Sequence, residues 1–242
     1  MQWNHRIVAA VAATSLAVAA TFVAPALGPA GAATPAATAP PGLTRARQAL
    51  EHQLTIRLDQ LKELSNDVTG SSTLSTSDAG TLASRLANAT TSISGLLTAA
   101  PADNRAALRK ARRTMIYGNR VFAVLTPQVY EVIGADATAA QVRTMTANEA
   151  ALQQEVSSLV GQVGYHSARV HLEAYVATVN RAAGEAADVA STVLAQVPAG
   201  FPRDRNVFVR ANRQLLAADE ALDHAAYDQS LVALAAGGYT GS

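Results

Sequence analysis

The spacing of the aliphatic side chains constrains this chain more than any other feature. From residue 44 onward, Leu, Val, Ile and Ala recur every three or four positions, and no stretch bounded by turn signals alternates with a period of two. That period puts the apolar residues on one face of an α-helix, whereas a half-buried strand needs strict alternation. Leu50, Leu54, Leu58, Leu61, Leu64 and Val68 form the first stripe, with Thr44 as its expected cap and Gly70 as its end. A second helix opens at Ser77 or Asp78 and carries Leu82, Leu86, Ala89, Ile93, Leu96 and Leu97; Pro101 closes it. A third, capped by Asp103, has a basic front half and an apolar back half from Met115 to Leu125. Pro127 removes a backbone bond and crowds the preceding turn, so a kink or a break is expected there.

Beyond it, Thr138 is the expected cap of a heptad-spaced run through Val142, Met145, Leu152, Val156, Leu159 and Val163. Ser167 opens a helix expected to reach Val197, Pro198 to Pro202 is a break, and Asp204 caps a last helix that ends at Gly237-Gly238. The pattern predicts an all-α fold: an antiparallel bundle of five to six long amphipathic helices with coiled-coil-like packing. Abundant alanine supports helix and lets helices approach closely.

Ahead of this domain, His5 and Arg6 precede an uncharged apolar run from Ile7 to Ala24, and Ala30-Gly31-Ala32, or Gly31-Ala32-Ala33, supplies the small residues of a signal-peptidase site. Residues 1–32 are therefore expected to be a signal peptide and the protein to be secreted or held in the cell envelope. A run of 18 residues also sits at the edge of spanning length, which leaves a retained anchor as the alternative. No later segment is apolar enough to span a bilayer. Residues 33–43, rich in Pro, Ala and Thr, read as a disordered linker, residues 44–238 as the helical domain and residues 239–242 as a tail.

The chain has no cysteine, which excludes disulfides, thiolate catalysis and thiolate metal sites. Its net charge is +1, and loss of the leader removes Arg6 and no acid, so the remainder is neutral and unsuited to general polyanion or nucleic-acid binding. No histidine has a glutamate three residues before it, so the Glu-x-x-His pattern of a di-metal bundle is absent. Glu220, His224 and Asp228 share a helix face, and a solvated face is expected there rather than a metal site. His166 reads as a loop residue and His171 as a surface one. No Gly-x-Ser-x-Gly elbow and no phosphate loop with its lysine occurs. No catalytic, cofactor-binding or metal-binding residue is therefore assigned, no cofactor is expected, and the chain reads as a non-enzyme.

The distinctive local feature is basic. Arg105, Arg109 and Arg113 lie one turn apart, Lys110 and Arg112 widen the face, and no acid intervenes between Asp103 and Glu131. Such a face suits a cell-wall polymer, lipid headgroups or another envelope protein; the alternative is internal pairing with acids such as Asp219, Glu220 and Asp223. The aromatics Tyr117, Phe122, Tyr130, Tyr175, Phe201 and Phe208 are expected mostly in the core. A second functional expectation is a small-molecule or lipid carrier, with a cavity at a Pro127 kink beside Phe122 and Leu125.

Two segments carry a family likeness. Ser75-Thr76-Ser77-Asp78 with Leu82, Leu86 and Leu96-Leu97 resembles the second helix of uncharacterised exported helical proteins of actinobacteria, which run Leu-Thr-x-x-Asp-x-x-x-Leu. Ile116 to Pro127 is similar to an Arg-Val-Tyr-x-Leu-x-x-Pro segment of that group, with Gln128 standing where a lysine is expected. The resemblance implies an exported helical bundle and implies neither an activity nor site residues.

Overall fold

Apolar stripes at helical spacing fold as helices. The structure, a computed structural model, describes residues 41–99, 104–201 and 206–237, all within the unit Ala39–Ser242. The leader, its cleavage region and most of the linker lie outside the described residues, as do the expected caps Asp103 and Asp204. Among the described residues there are seven α-helices and no strand: α1 (Pro41–Gly70), α2 (Thr76–Thr98), α3 (Arg105–Arg113), α4 (Thr126–Ser158), α5 (Tyr165–Ala186), α6 (Val189–Leu194) and α7 (Val207–Gly237). The fold is all-α, and five of these helices have more than twenty residues.

The expected stripes form the core. Leu54, Leu61 and Leu64 of α1 are fully buried, as are Leu82, Leu86 and Ile93 of α2. The two helices pack together, while α4, α5 and α7 pack on one another, with α5 and α7 in the most extensive contact. The buried residues of that last pair are mostly alanine: Ala168, Ala182 and Ala186 on α5, and Ala211, Ala218, Ala221 and Ala225 on α7. Side chains this small let two backbones come close and bury surface at little entropic cost. Tyr175, fully buried on α5, donates its hydroxyl to the Met145 carbonyl of α4 at 2.6 Å. Burial, followed by the charge of Glu149, raises its pKa.

Several boundaries differ from the expectation, each for a physical reason. Helix α1 starts at Pro41, so residues 41–43 leave the linker and Thr44 is interior; proline is tolerated in a first helical turn, and Leu43 is buried there. Ser75 caps α2 by accepting from the Asp78 amide at 3.1 Å. Asn104 caps α3, with Oδ1 accepting from the Ala106 amide at 2.8 Å. Thr138 is no cap: it is buried within α4 and donates to Asp219 at 3.4 Å. Tyr165, not Ser167, opens α5, which places the exposed His166 in the first turn of a helix and not in a loop. The expected long helix to Val197 divides around Ala187 and Asp188 into α5 and α6, and Val197 is half exposed. Val163, expected on the heptad stripe, is 83% exposed, because α4 has already ended at Ser158.

The largest departure precedes Pro127. This proline neither kinks nor ends a helix; it lies in the first turn of α4, where its missing N–H costs nothing. The irregularity is upstream, in two π-helical turns, Thr114–Asn119 and Val121–Leu125. Between them Arg120 takes the left-handed conformation (φ 40°, ψ 45°), unusual for a residue with a Cβ.

Candidate functional site

Helix α3 is short, and its buried side is narrow: Leu108 and Ala111, continued by Met115 and Asn119 of the π turn. The remaining circumference is cationic. Arg105, Arg109, Lys110, Arg112 and Arg113 are all exposed, and no hydrogen bond or ion pair of their side chains occurs among the described residues. The pairing considered with Asp219, Glu220 and Asp223 does not form: Asp219 accepts from Thr138 and Glu220 faces His224. A solvated cation with no counter-charge keeps its full long-range field, so five of them on one helix create a local positive potential on a nearly neutral chain.

The π turns carry this surface into a cluster of rings. The Arg120 guanidinium lies over Tyr117, 5.4 Å from the ring centroid, and over Phe201 at 5.5 Å; the Phe201 and Phe208 centroids are 6.1 Å apart. On the other side of Arg120 in sequence, Phe122 receives the Arg57 guanidinium at 5.1 Å. Arg57 also donates to the Gln53 carbonyl and Oε1, each at 2.9 Å, and burial lowers its pKa. Cations over aromatic faces are held by the ring quadrupole. Arg120 Nε is buried without a hydrogen-bond partner. π turns and left-handed side-chain-bearing residues concentrate at functional sites, because they need the surrounding structure to hold them.

Of the six aromatics expected mostly in the core, Tyr175 lies in it and Phe208 packs against it, whereas three others depart from the expectation. Only Tyr175 is fully buried; Tyr117, Phe122 and Tyr130 are 55%, 46% and 41% exposed. The Tyr130 hydroxyl donates to Asp67 at 3.1 Å, and burial with the nearby acids pushes its pKa up to about 12.

The acid–histidine face of α7 also separates. His224 Nε2 is 3.9 Å from Glu220 Oε1, with both side chains well exposed, while Asp228 turns to His171 of α5, whose Nδ1 is 3.0 Å from Asp228 Oδ1. His171 is thus half-buried in a cross-helix pair, not simply on the surface. Among the described residues no group of three His, Asp or Glu side chains is arranged to hold a metal ion.

Gln128, at the position where the resemblance implies lysine, is fully buried. Its Nε2 donates to the Val193 and Gln196 carbonyls at 2.7 and 2.9 Å, and Arg85 of α2 donates to the Gln196 and Leu194 carbonyls at 3.0 and 2.6 Å. These carbonyls lie at and just beyond the C-terminal end of α6, where a helix supplies few internal partners. Gln128 is therefore a structural clamp. Neither this long-range pairing nor that of His171 with Asp228 has a sequence signature. The Gly118-Asn119 dipeptide before Arg120 is the one local hint of an irregular backbone.

Two shallow grooves lie on the described surface. One of about 270 Å³ between α4, α5 and α6 is lined mainly by alanines, with Asp136 and Arg143. The other, about 210 Å³, runs between α2 and α3 beside Lys110. Both are smaller than the roughly 300–1,000 Å³ of ordinary ligand pockets, and neither includes Phe122 or Leu125, where a carrier cavity was expected. Asp136 accepts from the Ser75 amide at 2.7 Å, tying α4 to the cap of α2. No helix among the described residues is long and apolar enough to cross a membrane. No protein-family model, curated protein or solved structure matches the chain.

Proposed function

We propose that this is an exported helical protein with no catalytic role, which uses the α3 face to contact an anionic component of the cell envelope. One observation carries the reading: five exposed cations on one short helix have no acidic partner among the described residues. A purely structural surface would be expected to intersperse the two signs, as the rest of this chain does. The apolar run Ile7 to Ala24, followed by Ala30-Gly31-Ala32, supports export. The long helices are read as an antiparallel bundle with coiled-coil-like seams, a rigid support for α3. The likeness to exported actinobacterial helical proteins agrees with this reading.

Sedimentation with an isolated cell-envelope fraction tests it. Retention at low salt should fall steeply as ionic strength rises, and the triple variant R109E/R112E/R113E should stay in the supernatant. Retention that is indifferent to both salt and charge reversal would refute the proposal.

A further inference from the structure

The surface beside α3 contains more than charge. Arg105, Arg109, Arg113 and Tyr117 follow at four-residue intervals and are all exposed, opposite the buried Leu108, Ala111, Met115 and Asn119. The four-residue spacing keeps them on one side of α3 and of the turn that continues it. Three guanidinium groups thus lead along one line to an exposed phenol ring. That ring is held in place, since Arg120 stacks on it and is itself braced against Phe201.

Charge is segregated as well. Residues 104–130 hold six basic side chains and no acid, and the rest of the chain holds thirteen basic and eighteen acidic ones. The face is therefore oriented by any anionic surface while the remainder of the protein is repelled from it.

We propose that this face docks on the surface of an anionic phospholipid bilayer, with the arginines at the phosphates and Tyr117 at the boundary between headgroups and acyl chains. This deepens the reading of α3 as an anionic-partner surface and rests on it. A wall polyanion would engage chiefly the cations, whereas a bilayer engages the cations and the ring together. A tyrosine with an apolar body and a polar tip suits a membrane interface, and one already immobilised loses little freedom on entering it. Basic side chains near such a surface act additively and at short range.

The test places a reporter at the ring. In the exported protein, purified after removal of the leader that carries Trp3, Tyr117→Trp leaves residue 117 as the sole tryptophan. Its fluorescence is followed with vesicles of phosphatidylcholine, with or without phosphatidylglycerol, whose acyl chains are brominated. Quenching is expected with phosphatidylglycerol only, and R109E/R113E in the same background should weaken it about a hundredfold or more, since each basic side chain near the surface contributes roughly fivefold. Soluble polyphosphate at equal charge should leave the emission of Trp at 117 unshifted. Quenching that survives R109E/R113E would show that another segment delivers the chain to the vesicle, and it would overturn the proposal. An unquenched reporter in a protein whose envelope retention is still lost on charge reversal would make the partner a polymer: this inference would fall and the broader function would stand. Retention unaffected by charge reversal would remove both.

Discussion

Replacing Gln128 by leucine should cost little on its own and considerably more once Arg85 has been replaced by methionine, because the two side chains share an acceptor. Gln128→Leu removes two donors, yet no α6 carbonyl is stranded. Gln196 O and Leu194 O keep Arg85 at 3.0 and 2.6 Å, and Val193 O keeps the Gln196 amide at 3.1 Å. The change also deletes the Gln128 Oε1 atom, which is buried without a partner. Two hydrogen bonds at about 0.5–1.5 kcal/mol each, offset by removing that atom, leave a net loss of about 1 kcal/mol. Arg85→Met keeps the aliphatic stem and removes two charge-assisted bonds from a half-exposed site, a loss of about 2 kcal/mol. In the double variant Gln196 O loses both side-chain donors, which adds the desolvation penalty of an unmet acceptor, about 1 kcal/mol beyond the sum. For a domain of this size each kcal/mol lowers Tm by about 2–4 °C, so the cycle is measurable by urea denaturation followed by circular dichroism. Additivity within about 0.3 kcal/mol would refute the shared-carbonyl account.

Other expectations follow from single sites. Burial pushes the Glu131 carboxyl from its usual 4.5 up to about 7, so the native state holds a proton that the unfolded chain releases between those values. Its contribution to stability is complete below pH 4.5 and is lost as the pH rises to 7; allowing for its exposed portion, Glu131→Gln should flatten the stability profile between pH 5 and 8 by about 1 kcal/mol in denaturant titrations. Arg120→Ala should be less stable than Arg120→Gly by about 1 kcal/mol, because both lose the ring contacts but only alanine retains a Cβ in the left-handed region; equal stabilities would argue against that backbone geometry. Gly80 and Gly95 lie within α2 with nothing within 4 Å of an added Cβ, so Gly80→Ala and Gly95→Ala should each stabilise by about 0.5–1 kcal/mol, additively, in thermal melts. Leu54→Ala, in a fully buried position, should cost about 3–5 kcal/mol, and a cost under 1 kcal/mol would place α1 outside the core.

The division between what the sequence reveals and what it conceals follows the range of the interactions. The stripe on α1 and the alanine seam of α7 are legible because burial imposes its period on neighbouring residues, and that period survives any choice of partner helix. Thr138 is misleading for the converse reason. A threonine ahead of a heptad run looks like a cap, but a hydroxyl inside a helix is equally satisfied by an acid from another one, here Asp219. Tyr117, Phe122 and Tyr130 look like core by composition, although a ring stacked on an arginine or hydrogen-bonded to an acid can remain half exposed. The division at Ala187 and Asp188 has no proline or glycine at the break itself, and Gly184 inside the last turn of α5 is a weak announcement.

The basic face of α3 stands between these cases. Its position and amphipathicity can be read directly from the spacing of Arg105, Arg109 and Arg113; whether those charges are neutralised cannot, because a counter-ion is free to come from any helix. Among the described residues the fold leaves them without one and, immediately after them, departs from α-helical winding through two π turns and a left-handed Arg120. Unpaired surface charge is inexpensive in water, but a side-chain-bearing residue in the left-handed region carries a cost of about 1–2 kcal/mol. A sequence under no constraint but stability would place glycine at 120 and scatter acids through residues 104–130. That both departures fall within one exposed segment is what ties Arg120 and Tyr117 to the same partner as the α3 arginines. Arg120→Gly should therefore leave the fold intact yet loosen Tyr117, and weaken retention on the anionic partner without altering the charge of α3 itself. Undiminished retention of Arg120→Gly would separate the strained turn from the binding face.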